Sequence, residues 1–193
     1  PNLAQVPSDG RFRKLFTASP GKVMVGADLS GIELRMLAHY IHRYDGGRYS
    51  NILLTGDIHQ VNADKIGISR RLVKTVTYAF LYGAGDIKIG LSYEQRLPED
   101  KARAKGKEIR RAFVDAIPGL AELLKAIKDA SERGFIRAID GRKIEVDSAH
   151  KALNYLLQSS AGIIAKRWMV IANDYINTHE HFTANQLAFI HDE

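Results

Sequence analysis

Four side chains that suit a nucleotide recur at every fourth position of one short segment. The series is Arg70, Lys74, Tyr78 and Tyr82. In a helix, residues four apart differ by only about 40° around the axis, so the series forms one stripe. Cations bind phosphates, and aromatic rings stack on bases or pack against sugars. The segment therefore predicts a nucleotide-binding helix, with an ordinary amphipathic surface helix as the alternative.

Acidic residues follow two apolar segments that lie near opposite ends of the sequence. Asp28 comes directly after residues 23–27, and Asp192 and Glu193 come soon after residues 187–190. If both segments are neighbouring strands, acids at their ends can hold two divalent ions about 3.5–4 Å apart, an arrangement that promotes phosphoryl transfer. Alone, Asp28 is also typical of a capped turn, and a His-Asp pair also occurs in metal phosphohydrolases.

The composition limits the kind of partner and the kind of metal site. Lys and Arg number 28 against 22 Asp and Glu, a formal net charge of +6 that favours a polyanionic partner such as nucleic acid. The chain has no cysteine, so a metal must bind oxygen or imidazole, and a hard ion such as Mg²⁺ prefers carboxylate and backbone oxygens. There is no apolar run of about eighteen residues and no visible signal peptide. We therefore expect no membrane partner and a cytoplasmic location.

Strands at both ends of the chain, with helices between them, are predicted to position these residues. The apolar, partly β-branched segments 23–27 and 187–190 favour buried strands. Ser30 and Glu33 have the spacing of a capping box, which predicts a helix beginning at Ser30. The glycine-rich segment 44–56 is typical of a loop.

The remainder of the chain is predicted to be mostly helical, with one hairpin. Helical periodicity with glycine or proline stops predicts four helical segments. These are 57–66, 70–82, 98–133 with an interruption at Pro118-Gly119, and 149–177. Two short strands, 135–139 and 143–146, flank an Asp140-Gly141 turn. The predicted fold class is α+β and helix-rich, with a small antiparallel sheet.

Taken in order, these segments resemble the motifs of the family A DNA polymerases, the group of bacterial DNA polymerase I and the replicases of short-tailed phages. Residues 28–35, Asp-Leu-Ser-Gly-Ile-Glu-Leu-Arg, resemble motif A. Residues 70–83, with Arg-x3-Lys-x3-Tyr-x3-Tyr-Gly, resemble motif B, the O-helix of the fingers. His191-Asp192-Glu193 resembles the start of motif C. Further matches, in the family's order, are residues 1–3, Asn154 and Gln158.

The resemblance covers essentially the whole chain. It implies a partial palm-and-fingers polymerase core, truncated, without a thumb or an exonuclease domain. The first palm part would be residues 1–56, the fingers residues 57–133, and the second palm part residues 134–193. Segments 83–85 and 156–159 are more similar to the phage branch than to bacterial DNA polymerase I.

Carried over to this chain, the resemblance implies a two-metal site for nucleotidyl transfer. Two Mg²⁺ ions would be bound by Asp28, the Leu29 carbonyl, Asp192 and Glu193. Asp28 and Asp192 would thus be catalytic residues. Lys74 would also be catalytic, because it could protonate the leaving pyrophosphate.

The resemblance also assigns residues to both substrates. The incoming dNTP would contact Leu29, Glu33, His59, Arg70, Lys74, Tyr78 and Tyr82. Within this set, Tyr82 would pack against Glu33, and Glu33 would block a ribose 2′-OH. A tyrosine at position 78 would accompany ready use of dideoxynucleotides. The primer–template DNA would contact Arg142, Asn154, Gln158 and His191.

Other interpretations of single residues and of the whole chain stay open from the sequence. Glu33 is also typical of a capping acid, His59 of a surface histidine, and Asn154 and Gln158 of a solvated helix face. We predict a DNA polymerase core that serves phage DNA replication, with a processivity factor bound outside this segment. The alternatives are a non-catalytic DNA-binding fragment and a single-subunit RNA polymerase. The combination of Glu33 with Tyr82 argues against the RNA polymerase.

Overall fold

The computed structural model describes residues 5–7, 9–179 and 183–191. The chain divides into two compact units. One contains Pro1–Ile32 and Ala161–Glu193, and the other contains Glu33–Ser160. The division into palm and fingers that the sequence predicts follows different boundaries and stays a prediction.

Helices make up most of the described structure. They are α1 (Gly10–Arg13), α2 (Ile32–Asp45), α3 (Arg48–Thr55), α4 (Ile58–Ile66), α5 (Arg70–Leu81), α6 (Asp86–Tyr93), α7 (Glu99–Ala116), α8 (Leu120–Ser131) and, after a 3₁₀ turn at Ala149–Lys151, α9 (Ala152–Thr178). The helices predicted over 57–66, 70–82, 98–133 and 149–177 are confirmed to within about three residues at their ends. In the described residues, no helix combines the length and the apolar character that crossing a membrane requires.

The core of the Glu33–Ser160 unit is formed by apolar faces of several helices. Helix α2 contributes Leu37 and Ile41, which lie four residues apart on one face and are fully buried. Helix α5 contributes Val76 and Phe80, and the Phe80 ring packs against Phe113 of α7 with 5.0 Å between centroids. Burying each such side chain contributes about 1.5–3 kcal/mol. Because one face of α2 and one face of α5 are buried in this core, the direction in which their opposite faces point is fixed.

Helices α6 and α7 pack with their backbones in direct contact at two glycines. A Cβ at Gly90 would lie 1.9 Å from the carbonyl oxygen of Ala102, and a Cβ at Gly106 would lie 1.7 Å from the carbonyl oxygen of Asp86. No side chain fits at such distances, so both positions require glycine. The pair of helices is therefore held tightly just after α5 ends.

The predicted hairpin is confirmed, with shorter strands. Strand β1 (Phe135–Arg137) pairs antiparallel with β2 (Lys143–Glu145), and Ile136 lies opposite Ile144. Ile136 is buried, so alternation places Phe135, Arg137, Lys143 and Glu145 on the other face. The small antiparallel sheet of the predicted fold class is this hairpin.

The prediction of a loop over residues 44–56 is wrong, because most of this segment forms α3. Gly46 and Gly47 have positive φ angles of 64° and 85° and form the turn between α2 and α3. The Asp45 carboxylate accepts hydrogen bonds from the backbone N–H groups of Gly47 and Tyr49, both at 2.7 Å. Tyr49 is buried in the core and anchors the helix. The two glycines thus mark a turn between helices and not a loop.

The predicted start of α2 at Ser30 is also wrong. The helix begins at Ile32, because Gly31 has a φ of 58° and lies in the left-handed region, outside helical geometry. Glu33 consequently lies in the first turn of α2.

The strands predicted over 23–27 and 187–190 are wrong, since neither segment forms a strand in the described residues. Val23, Val25 and Leu187 are 83%, 85% and 75% exposed. A strand requires a hydrogen-bonded neighbour, and the only pairing assigned within the described part of the chain is β1 with β2. The apolar pattern indicated the capacity to form a strand but carried no information about a partner.

Candidate functional site

Helix α5 is defined at both ends by specific hydrogen bonds. At its start the Ser69 hydroxyl accepts a backbone N–H of the first turn at 3.3 Å. At its end Gly83 adopts a φ of 73°, and the N–H groups of Gly83 and Ala84 donate to two carbonyls of the last turn at 3.0 and 2.8 Å. This pattern is a Schellman motif, which stops the helix at Tyr82.

Of the four residues predicted to form a stripe on α5, Arg70, Lys74 and Tyr82 are exposed, whereas Tyr78 is half-buried and packs against the core. We call Arg70 and Lys74 the cationic end. The rings of Tyr78 and Tyr82 stack with 6.5 Å between centroids and 25° between planes. The His59 ring of α4 lies 6.2 Å from Tyr78. The stripe therefore offers cations for phosphates at one end and rings for a base or sugar at the other.

The cationic end contacts the start of α4. Arg70 Nε donates to Asp57 Oδ2 at 2.6 Å. Asp57 Oδ1 accepts from the backbone N–H groups of His59 and Gln60, both at 3.1 Å, and so caps α4. The Arg70 side chain, followed by the backbone of α4, lowers the pKa of Asp57. Because a guanidinium carries five N–H groups, Arg70 can bind an anion while it keeps this contact.

His59 is only 8% exposed, so its interpretation as a surface histidine is wrong. Burial lowers its pKa, and the charges of Arg70 and Lys74 lower it further, against the opposing effect of Asp57. Its Nδ1 is buried without a hydrogen-bond partner among the described residues. The ring is therefore kept neutral beside two cations, where a bound anion would favour its protonation.

The other end of the stripe, which we call the acidic end, joins three helices at one carboxylate. Glu33 Oε1 accepts from the Tyr82 hydroxyl at 2.8 Å and from Gln158 Nε2 of α9 at 3.2 Å. Glu33 is 4% exposed. A buried carboxylate must have its oxygens satisfied, and here neutral donors do so. The structure thus brings together three predicted site residues that are far apart in sequence.

Helix α9 is fixed beside the acidic end by further contacts. Asn154, one turn before Gln158, has its Cβ 3.9 Å from where a Cβ at Gly83 would lie. The Tyr40 hydroxyl of α2 and Ser160 Oγ of α9 form a hydrogen bond of 2.8 Å. Asn154 and Gln158 are half-buried, so they are not simply a solvated helix face.

Sequence reasoning missed Arg110 of α7, which bonds the chain directly after α5. Its Nη2 donates to the Ala84 carbonyl at 2.5 Å and its Nε to Asp86 Oδ1 at 2.6 Å. The guanidinium also lies 5.4 Å from the centroid of the Phe80 ring. Arg110 is one of many basic residues in its helix, and its spacing gave no signal.

Three buried polar residues near α4 and α5 were also missed. Tyr49, Asn62 and Thr77 are at most 3% exposed. Tyr49 Oη, Asn62 Nδ2 and Thr77 Oγ1 have no hydrogen-bond partner among the described residues. Burial raises the pKa of Tyr49, so its hydroxyl stays protonated. Buried water molecules commonly satisfy such groups.

The remaining predicted residues of the larger unit lie apart from this arrangement of contacts. Arg142 is exposed in the hairpin turn and donates from Nε to Asp140 Oδ2 at 2.7 Å. This ion pair is local, two residues apart along the chain. Nothing in it by itself indicates a ligand.

The predicted metal ligands belong to the Pro1–Ile32 and Ala161–Glu193 unit. Asp28 is exposed and Leu29 half-buried. His191 has a φ of 63°, an uncommon backbone conformation for a residue other than glycine. Asp192 and Glu193 lie outside the described residues, so their approach to Asp28 stays a prediction. Within the described ranges no three His, Asp or Glu side chains form a metal-binding group.

Comparisons with known proteins match the whole chain to one family. Residues 1–193 match DNA polymerase family A. The chain is 38% identical over 199 residues to the DNA-directed DNA polymerase of Escherichia phage T7, covering 88% of this chain and 27% of the phage protein. It is 27% identical over 218 residues to DNA polymerase I of Pseudomonas aeruginosa, covering 100% of this chain and 23% of that protein. The chain therefore spans about a quarter of the length of these relatives.

A solved structure shares the fold. The POL domain of Pol1 from M. smegmatis, in complex with DNA primer-template and dNTP, matches with a TM-score of 0.78 and 23% identity. The match covers 100% of this chain and 37% of that one. The predicted helix-rich α+β class with a small antiparallel sheet is confirmed.

Proposed function

We propose, because this chain belongs to DNA polymerase family A, that it forms the nucleotide-binding core of a template-directed DNA polymerase. The observation that carries the proposal is the stripe on α5, with cations at one end and stacked rings beside a buried acid at the other. In the proposed reaction the primer 3′-OH attacks the α-phosphate of a dNTP, and pyrophosphate leaves.

The cationic end is proposed to bind the triphosphate. Arg70, held by Asp57, would bind phosphate oxygens through its remaining N–H groups. Lys74 would stabilise the charge that grows on the leaving pyrophosphate and donate a proton to it. His59, kept neutral by burial and by the two cations, would donate one N–H to a phosphate oxygen.

The acidic end is proposed to select the sugar. Glu33 and Tyr82 form a hydrogen-bonded pair that would occupy the space beside the 2′ carbon of the bound nucleotide. A ribose 2′-OH would meet this pair, so a ribonucleotide would be rejected. Tyr78 would lie along the sugar near its 3′ carbon.

Two Mg²⁺ ions are proposed as cofactors, held by Asp28, the Leu29 carbonyl, Asp192 and Glu193. These donors are all hard oxygens, which is the ligand chemistry that Mg²⁺ requires. The exposed position of Asp28 leaves its carboxylate accessible to an ion. Bound Mg²⁺ would neutralise phosphate charge and favour ionisation of the primer hydroxyl.

The primer–template DNA is proposed to contact Arg142, Asn154, Gln158 and His191. A role in phage DNA replication, in the cytoplasm of the host, is part of the proposal, and the similarity to the DNA-directed DNA polymerase of Escherichia phage T7 supports the phage role. A processivity factor, if one is used, would bind outside this segment.

Primer extension by the protein, expressed from its complete gene, tests the proposal. We expect Mg²⁺-dependent, template-directed incorporation of dNTPs in preference to rNTPs, and its loss in Asp28→Asn with primer–template binding retained. DNA binding without extension in the unsubstituted protein would favour a non-catalytic fragment. Preferential incorporation of rNTPs would favour an RNA polymerase.

A further inference from the structure

The side chain of Arg110, in α7, contacts the chain at three places around the end of α5. Its Nη2 donates to the carbonyl of Ala84, and its Nε donates to the carboxylate of Asp86 at 2.6 Å. Its guanidinium carbon lies 5.4 Å from the centroid of the Phe80 ring. Phe80 belongs to the last turn of α5, Ala84 to the connection, and Asp86 to the first turn of α6. One side chain of α7 therefore binds the end of α5, the connection after it and the start of α6.

The charge of Arg110 suits the end of α5. The C-terminus of a helix carries partial negative charge and favours a nearby cation. Residues 78–81, the last turn of α5, include no basic residue. Arg110 thus supplies from α7 the positive charge that α5 does not supply itself.

Ala84, the residue after the glycine stop, is bonded in two directions. Its N–H donates to the Ala79 carbonyl of α5 at 2.8 Å, and its carbonyl accepts from Arg110. Hydrogen bonds from a charged donor are stronger than those between neutral groups. A shift of the end of α5 relative to α7 would therefore break one of these two bonds.

The position of α7 is set by contacts other than those of Arg110. Gly106, one turn before Arg110, brings the backbone of α7 against the Asp86 carbonyl, and Gly90 brings α6 against the Ala102 carbonyl. The side chains of Arg110 and Asp86 are 33% and 31% exposed, so their ion pair contributes little to stability. Helix α7 is thus a fixed base from which Arg110 holds the end of α5.

The acidic end of the stripe begins two residues before Ala84. Tyr82 is the C-cap of α5, and its hydroxyl donates to Glu33 at 2.8 Å. Side chains that select a ligand must be held to within about 0.5 Å. A change at Ala84 would reach Tyr82 through the backbone bonds that close the helix.

We propose that Arg110 is a positioning residue for sugar selection, acting through Ala84 on Tyr82 and Glu33. This role rests on the proposed function, in which the acidic end rejects a ribose 2′-OH. Arg110 itself touches neither substrate. An ion pair that served stability alone would alter unfolding and leave sugar selection unchanged.

Amide hydrogen exchange tests the structural step without reference to activity. In Arg110→Met of the full-length protein, the amides of Gly83 and Ala84 should exchange at least roughly tenfold faster, because a charged hydrogen bond that closes this turn is lost. Arg111→Met removes the neighbouring cation, whose carboxylate partner Asp115 is 3.8 Å away, and should leave both rates unchanged. Unchanged exchange in Arg110→Met would overturn the proposal.

Single-nucleotide incorporation tests the functional step. Arg110→Met should lower the ratio of kcat/KM for a dNTP over its rNTP by roughly five- to tenfold. Arg110→Lys should fall between this variant and the natural protein, because one ammonium cannot replace the fork of a guanidinium. Ile127→Val removes a methyl group from a buried side chain of α8, which lowers stability but should leave the ratio unchanged. A loss of selection in Ile127→Val as large as that in Arg110→Met would assign the effect to stability and overturn the proposal.

A double-mutant cycle tests whether Arg110 acts through the buried acid. In a Glu33→Ala background, Arg110→Met should lower the ratio no further, because the group through which it acts is absent. Additive losses would overturn the proposal. An altered ratio in Glu33→Ala with an unaltered one in Arg110→Met would overturn this proposal alone. An unaltered ratio in Glu33→Ala itself would overturn both this proposal and the sugar selection on which it rests.

Discussion

The two ends of α5 hold their charges by opposite means. At the cationic end Arg70 is half-exposed and forms an ion pair with a similarly exposed Asp57. At the acidic end Glu33 is buried and is bound by the neutral groups of Tyr82 and Gln158. One end can exchange its partners with a ligand in water, and the other cannot without exposing a buried acid.

Under the proposed function, this difference would separate nucleotide affinity from sugar selection within one helix. Exposed ion pairs contribute little to stability, so a phosphate can displace or share them at small cost. A buried hydrogen-bonded carboxylate is expensive to disturb, about 1–3 kcal/mol for each lost partner. The cationic end is therefore suited to bind and release charge, and the acidic end to reject a wrong sugar.

The largest effect is expected at the cationic end. Lys74→Ala should lower kcat for incorporation by roughly 10²–10³-fold, because charge on the leaving phosphates grows in the transition state. DNA affinity should change far less. Arg71→Ala, which removes the neighbouring exposed cation of the same helix, is the control. Equal losses of rate and DNA affinity would make Lys74 a backbone-binding lysine.

The second-largest effect is expected from a substitution that disturbs the packing of α7, and through α7 the acidic end. Gly106→Ala would place a Cβ 1.7 Å from the Asp86 carbonyl oxygen, so the free energy of unfolding should fall by about 2–3 kcal/mol. Displacement of α7 would also move Arg110, which bonds Ala84 after α5. Denaturant unfolding measures this loss. Gly162→Ala, where nothing lies within 4 Å, should instead stabilise α9 by about 0.5–1 kcal/mol, and equal effects of the two substitutions would contradict the packing argument.

Removing the buried acid should weaken sugar selection. Glu33→Ala should lower the ratio of kcat/KM for a dNTP over its rNTP by roughly ten- to a hundredfold, because the space beside the 2′ carbon opens. Single-nucleotide incorporation measures both values. Tyr82→Phe keeps the ring and loses only the hydrogen bond, so its effect should be smaller. An unchanged ratio in Glu33→Ala would remove the acidic end from sugar selection.

Tyr78, which lies between the two ends, is expected to affect discrimination against nucleotides that lack the 3′-OH. Its phenol can supply a polar contact that the 3′-OH would otherwise make, so Tyr78→Phe should raise discrimination against dideoxynucleotides up to about tenfold. The ratio of kcat/KM for a dNTP and its dideoxy analogue measures this in both proteins. If that ratio stays constant, Tyr78 serves only in packing against Tyr82 and His59.

The smallest effect is a pH dependence at the cationic end. The pKa of His59 is lowered in the folded protein, so below its unfolded pKa of about 6.5 the unfolded chain binds more protons than the folded one. The stability that His59 contributes is thus fully present above about pH 6.5 and is lost as pH falls through the folded pKa. Urea unfolding from pH 5 to 8 should show this slope in the natural protein and a shallower one in His59→Gln. An identical slope in the variant would exclude His59 as its source.

The local sequence pattern predicted those parts of the molecule whose structure depends on residues close together in the sequence. The stripe on α5, the glycine stop at Gly83 and the hairpin at Asp140-Gly141 each follow from residues a few positions apart. The proximity of Tyr82 to Glu33 came from the family resemblance alone, because no local signal joins residues 49 positions apart.

The errors arose where structure depends on distant partners. Segments 23–27 and 187–190 were predicted as strands from apolar character, which carries no information about pairing. Helix α3 was missed because Gly46 and Gly47 suggested a loop, whereas the buried Tyr49 fixes a helix there. Arg110 was indistinguishable from solvated cations, since its role depends on how α7 packs at Gly106.

The bonded ends of α5 also determine which kinds of mutation the proposed nucleotide site could accept. The twelve residues of the helix span about 18 Å, and each added residue would turn everything after it by about 100°. Since Ser69 starts the helix and Gly83 stops it, one insertion or deletion would move Tyr82 off the line of Arg70 and away from Glu33. Libraries that vary residue identity can therefore tune phosphate binding and sugar choice separately, whereas libraries that vary length should yield almost no active clones.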